Sequence, residues 1–243
     1  MTRPTSAVAA PSAELIEELV TGNRIIFDQK VVDGFGHISV RHDRDPTTYL
    51  MARNIAPGLV TAADIVRFDL DSDPVADASS RYYSERFIHG EIYKARPDVR
   101  AVIHCHAPQL IPFGATGVPL RPIFHMSGFL GAGVPIFEIR EAGGMTDMLV
   151  RTPQLGKALA ISLGDKPIVL MRGHGATMVG VSIKQVVYRA IYAALNAGLQ
   201  MDAARLGEAM FLDPEEAVKA TELNDRVLER PWALWKRQAL GER

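Results

Sequence analysis

In this 243-residue chain, His104-Cys105-His106 is the stretch whose side-chain types and spacing first suggest chemistry. The apolar run from Val99 to Cys105 reads as a strand. Side chains alternate along a strand, so the two imidazoles point the same way and can share one cation. Cys105 faces the opposite layer and reads as core. His174 lies between Gly173 and Gly175, after a second apolar run, Pro167 to Met171. Glycines there permit close backbone approach and unusual dihedrals. Glu85 stands at the start of a predicted helix, Ser84 to Ala95. An H-x-H pair alone is a weak signal. His174 and Glu85, at two further element ends, complete a shell of three nitrogens and one oxygen. Such a shell suits Zn²⁺, and also Mn²⁺ or Fe²⁺.

The elements that must carry these residues can be read along the chain. Ser12 is the expected N-cap of a helix over Ala13 to Gln29, with Leu15, Leu19 and Ile26 on one face. Gly34 and Gly36 mark a turn. Strands are expected at His37 to Arg41, Thr48 to Met51, Ile65 to Leu70 and Val134 to Ile139, besides the two already named. Further helices are expected from Met145 to Leu163, from Ser182 to Leu206, and from Pro214 to Leu240 with a break at Pro231. Ser182 and Gln185 have capping-box spacing. Strands and helices alternate irregularly, which argues for an α/β layered domain with a mixed sheet. No linker composition divides residues 12–243, read as one domain; residues 1–11, rich in Ala, Pro, Ser and Thr, read as a disordered lead.

Bulk properties exclude several classes. With 27 basic and 28 acidic residues the net charge is −1, and no basic face is visible, so nucleic acid is not expected as a partner. No apolar run of about 18 residues exists, so no spanning helix is expected. The lead lacks the apolar core of a signal peptide. Cys105 is the one cysteine; no intrachain disulfide can form, and the cytoplasm is the default compartment.

The combination resembles the class II aldolase and adducin family. In that family a glutamate precedes an H-x-H by 19 residues, the separation of Glu85 and His104. A third histidine precedes a glycine after an apolar strand, as His174-Gly175 does. An early glycine turn matches Gly36-His37-Ile38-Ser39. The resemblance runs from about Leu15 to Leu206. It implies a three-layer fold with a central, mostly antiparallel sheet flanked by helices. It also implies one divalent ion per subunit, and a homotetramer with active sites at subunit interfaces.

The departures from the family pattern narrow the expectation. Sugar-phosphate members hold phosphate on a small Thr/Ser-Gly turn; here Arg53 and Asn54 fall there. His37 replaces an asparagine, and Tyr83 replaces the first of two serines, leaving Ser84. Where aldolases carry a tyrosine proton donor from a neighbouring subunit, this chain has His125, so a phenol of pKa ~10 gives way to an imidazole of ~6.5. With Arg230-Pro-Trp-Ala-Leu-Trp-Lys, these changes resemble a branch of decarboxylases of hydroxylated aromatic dicarboxylates, including dihydroxyphthalate and hydroxy-methylpyridine-dicarboxylate decarboxylases.

That resemblance implies loss of CO₂ from a benzene or pyridine dicarboxylate whose ortho hydroxyl and carboxylate chelate the ion, the metal being an electron sink. Glu85 is then ligand, base, or both, and His125 the candidate acid. Arg53, His37, Asn54 and Ser84 are candidate substrate contacts. An aldolase or epimerase acting on a non-phosphorylated hydroxy-carbonyl compound is the alternative. A non-enzymatic scaffold would lack the histidines, and an Fe²⁺ oxygenase would share the shell. His42, beside Asp43 and Arg44, reads as exposed; His89, one helical turn after Glu85, reads as structural. Trp232 and Trp235 fit either a pocket lid or core anchors.

Overall fold

The computed structural model describes residues 10–76 and 81–241. Most of the expected N-terminal lead, residues 1–9, lies outside the described residues. The helices are α1 (Ala13–Asp28), α2 (Phe87–Ala95), α3 (Ile111–Ala115), α4 (Ile139–Gly143), α5 (Pro153–Leu163), α6 (Ile183–Leu206), α7 (Pro214–Asp225) and α8 (Glu229–Ala239). The strands are β1 (His37–Arg41), β2 (Thr48–Ala52), β3 (Ile65–Asp69), β4 (Ala101–Cys105), β5 (Ile136–Phe137), β6 (Ile168–Met171) and β7 (Gly175–Gly180). They form one sheet in the order β3-β2-β1-β4-β7-β6-β5. Every neighbouring pair is antiparallel except β5 with β6.

Side-chain alternation sorts the strands into two cores. Ile38, Leu50, Ala101, Ile103, Cys105, Leu170 and Met178 pack towards α1, α6 and α8. Tyr49, Met51, Val102, Val169, Met171 and Val179 pack towards α2 and α5. The sheet is therefore the middle of three layers, and its central strands are buried on both faces. Cross-strand register places His37 opposite His104 and His104 opposite Thr177, all on the α2 face. The candidate metal ligand His104 thus stands above the centre of the sheet.

Caps set the helix boundaries. Ser12 Oγ accepts from Leu15 N at 3.2 Å, and Ser182 Oγ accepts from Gln185 N at 3.1 Å. The Gln185 side chain reaches Val181 N, rather than closing a box on Ser182.

Several expected boundaries move. The helix expected from Met145 begins at Pro153, because Thr152 caps it; residues 145–151 are irregular. The helix expected from Ser84 begins with a 3₁₀ turn, Ser84–Arg86, in which Glu85 has non-helical angles. The break expected at Pro231 falls at residues 226–228. Pro231 sits in the first turn of α8, where its missing N–H leaves no bond unmade. The strand expected over Val134 to Ile139 shrinks to two residues. Strand β7, α3 and the 3₁₀ segment His125–Ala132 had no periodic signal strong enough to mark them.

His42 corrects the expectation of exposure. It is fully buried, because its Nδ1 accepts from the backbone N–H groups of Arg44 and Asp45 at 3.0 and 3.2 Å. Trp232 and Trp235 are buried with α1 and α6, and Trp235 lies 6.1 Å from the Tyr192 ring. They anchor α8 to the core.

Candidate metal centre

Four side chains from three places in the sequence converge here. His104 is the next-to-last residue of β4, and His106 lies just beyond the strand's end. His174 occupies the tight connection between β6 and β7, where Gly173 takes the left-handed conformation at φ +64°. Glu85 projects from the 3₁₀ turn before α2. His106 Nε2 lies 3.0 Å from both His104 Nε2 and His174 Nε2. Glu85 Oε2 lies 3.6 Å from His104 Nε2 and from His174 Nε2. Tetrahedral coordination with bonds of ~2.1 Å separates ligand atoms by about 3.4 Å, so these spacings fit a single ion.

The protons also fit one. His174 Nδ1 lies 3.0 Å from the Met148 carbonyl and donates to it, leaving Nε2 as a lone pair. Thr177 Oγ1 donates to Met171 Sδ at 3.5 Å, so it accepts from His104 Nδ1 at 3.3 Å. His104 Nε2 is then also a lone pair. Three imidazole nitrogens and a carboxylate oxygen converge with at most one proton among the nitrogens, a donor set that calls for a cation. Val150 N donates to Glu85 Oε1 at 2.9 Å, which leaves Oε2 to face the site. Such outer contacts orient ligands and fix tautomers.

Burial shapes the electrostatics. His104 is fully buried and held well below the ordinary imidazole range, by burial first and then by the neighbouring rings. Burial lowers His106 and raises Glu85, the latter against the pull of His174. Neutral imidazoles are what a metal binds.

Beside the ligands is a cavity of about 250 Å³, lined by Phe35, His37, Asn54, Tyr83, Ser84, Glu85, His106 and Leu149 among others. Three expected substrate contacts, His37, Asn54 and Ser84, are therefore brought to it. Arg53 is not among the lining residues. Its Nε donates to Asp64 Oδ1 at 2.7 Å, and Asp64 is itself held by Thr61. His125 is exposed at the head of its 3₁₀ segment, away from this lining, with its carbonyl accepting from Asn224. Sequence reasoning took Tyr83 only as a lost serine. In the fold it is a wall: its ring lies 4.7 Å from the His37 ring, and its hydroxyl donates to the Ile55 carbonyl. Phe35 and Leu149 were also missed, since each sits in irregular chain without periodic signal. His89, expected to be structural, is fully buried and bonded to His37 and Ser39.

Comparison with known proteins places the chain in a family and a fold. Residues 17–201 match the family model described as class II aldolase and adducin N-terminal domain. The decarboxylase tropJ of Talaromyces stipitatus is 39% identical over 252 aligned positions, covering 94% of this chain and 95% of that protein. The 3,4-dihydroxyphthalate decarboxylase of Arthrobacter keyseri is 32% identical, covering 80% of each. Among solved structures, an L-fuculose 1-phosphate aldolase from Glaciozyma antarctica superposes with a TM-score of 0.79 at 21% identity, covering 100% of this chain and 96% of its own; it supports the fold. The chain belongs to the class II aldolase and adducin family, within its decarboxylase branch.

Proposed function

We propose that this chain is a metal-dependent carboxy-lyase that removes CO₂ from a hydroxylated aromatic dicarboxylic acid. The observation that carries the proposal is the convergence of Glu85, His104, His106 and His174 beside a small cavity walled by Phe35, Tyr83 and Leu149. The decarboxylase relatives support the reaction type. A divalent ion held by the four residues, Mn²⁺ or Zn²⁺, with Fe²⁺ as a further option, would supply a Lewis acid for negative charge building on substrate oxygen.

The chain's own residues do the rest. A cavity of about 250 Å³ falls below the ~300–1,000 Å³ of pockets for drug-sized ligands, and so suits one ring. Phe35, Tyr83 and Leu149 offer that ring apolar contact and exclude water. His37, Asn54 and Ser84 offer polar contacts for carboxylate and hydroxyl oxygens. Arg53, with its Nε committed to Asp64, is a weaker candidate than these three. His125, outside the cavity of its own chain, is assigned to a neighbouring copy's site in a homotetramer, delivering the proton that replaces CO₂ on the ring carbon.

The test is CO₂ release from a panel of ortho-hydroxy aromatic dicarboxylates, 3,4-dihydroxyphthalate among them, with added Mn²⁺ or Zn²⁺. Turnover abolished by a chelator and by His104→Ala is the expected result. Cleavage of a hydroxy-carbonyl substrate, with no CO₂ from any panel member, would overturn the proposal.

A further inference from the structure

Beneath the cavity runs a buried chain of side chains that metal binding leaves unused. His37 Nδ1 lies 2.6 Å from His89 Nε2, and His89 Nδ1 lies 2.6 Å from Ser39 Oγ. Ser39 Oγ lies 2.8 Å from the Tyr93 hydroxyl. The four residues are at most 3% exposed. Strand β1 supplies His37 and Ser39 on one face, and α2 supplies His89 and Tyr93 one turn apart.

The direction of these bonds follows from the far end. Among the described residues the Tyr93 hydroxyl has no partner but Ser39. The Arg41 guanidinium lies 4.8 Å from the ring centroid, and it can only donate. Burial holds the Tyr93 hydroxyl above the ordinary phenol range, so it keeps its proton. A buried O–H with one acceptor in reach donates to it; the reverse order would orphan that proton. Ser39 Oγ therefore accepts from Tyr93 and donates to His89 Nδ1. His89, pushed down to about 3 by burial, has a single N–H, which must then sit on Nε2 and donate to His37 Nδ1. With Nδ1 accepting, His37 carries its proton on Nε2. That atom has no other partner among the described residues, and His37 lines the cavity.

We propose that Tyr93, Ser39 and His89 are positioning residues that hold His37 in its Nε2–H tautomer, so that His37 meets a substrate carboxylate as a neutral hydrogen-bond donor and not as a base. The identity of that ligand rests on the carboxy-lyase proposal; the tautomer does not. A neutral donor grips an anion without adding a positive charge beside the metal ligands, where it would repel the ion.

The first arm of the test needs no substrate. Long-range ¹H–¹⁵N correlation spectra of the full chain, labelled at histidine and loaded with Zn²⁺, report which nitrogen of each ring is protonated. His37→Gln and His89→Gln assign the two rings. Both are expected as Nε2–H; an Nδ1–H form at either ring overturns the inference. The second arm is kinetic, on whichever panel acid releases CO₂. Tyr93→Phe and Ser39→Ala are expected to raise KM about five- to tenfold, the loss of one directed hydrogen bond, with a smaller fall in kcat and unchanged bound Zn²⁺. His89→Gln, whose amide can accept from Ser39 and donate to His37, is expected to retain more affinity than His89→Leu. An unchanged KM, or a loss wholly explained by missing zinc, overturns it. If no panel acid releases CO₂, the carboxy-lyase proposal fails while the spectra still decide the tautomer.

Discussion

At Glu85 a carboxylate is buried among three imidazoles, and burial pushes its pKa up. The charge is therefore unfavourable in the metal-free fold and useful only once a cation sits opposite. Glu85→Gln keeps an acceptor for Val150 N while removing that charge. We expect the EDTA-treated variant to be as stable as wild type or more so, by up to about 1 kcal/mol. Its Zn²⁺ affinity should fall at least about tenfold, read by competition with a chelating dye. Destabilisation of the metal-free variant would show instead that the charge holds the fold. The convergence of these four candidate ligands was legible in the sequence because each sits at or beside the end of a strand or helix, where local pattern alone exposes an odd polar residue. Tyr93, Ser39 and His89 were not legible as a unit. Their contacts depend on how β1 and α2 are stacked, which no local spacing encodes. The Arg53–Asp64 pair was hidden for the same reason: the two are adjacent only after β2 and β3 pair.

Elements make the site by being interrupted. A helix over residues 145–152 would bond the Met148 carbonyl and the Val150 N–H internally. Left irregular, those two groups orient His174 and Glu85 instead. The segment's apolar residues suggested a helix because periodicity cannot reveal a backbone group reserved for a ligand. The pairing of β4 with β7 is under the opposite constraint, closeness. A Cβ on Gly175 would lie 2.1 Å from the Cys105 carbonyl oxygen, between His106 and His174. Backbone cannot swing aside, so Gly175→Ala must part the strands at the ligands. We expect a loss of about 1–3 kcal/mol in urea unfolding, with weaker Zn²⁺ retention. Gly117→Ala, which meets nothing within 4 Å, should change stability by less than ~0.5 kcal/mol. Equal effects of the two would refute the strand-separation account.

On the scale of the whole molecule, a layered α/β plan was legible because β4 and β6 are short apolar runs among helix-length patterns, whereas the three-layer, mostly antiparallel arrangement followed from the family resemblance. What composition could not show is how many histidines the plan buries as neutral groups. His37, His89 and His104 are each at most 3% exposed, and burial is the leading cause of the lowered pKa of all three. Unfolding returns them to about 6.5, so between that pH and about 3, the folded value of His89, the unfolded chain binds more protons. Stability must therefore rise with pH through this window and fall on acidification, by about 1.4 kcal/mol per pH unit for each histidine fully engaged. Glu85 runs the other way, since its raised folded pKa makes the folded state the better proton binder above 4.5. One carboxyl offsets one histidine at most, and the net sign stays with the histidines. Against a typical total of 5–15 kcal/mol, such a slope removes a large share of the stability of the metal-free chain by pH 5. Urea midpoints of EDTA-treated protein at pH 7, 6 and 5 are expected to drop at each step, more steeply below 6.5 than above it. A flat profile across that range would mean that these rings take up protons without unfolding, contrary to their burial. Added Zn²⁺ should raise the midpoint at pH 7 and lose its effect by pH 5, because the same protons compete with the ion for the imidazole nitrogens.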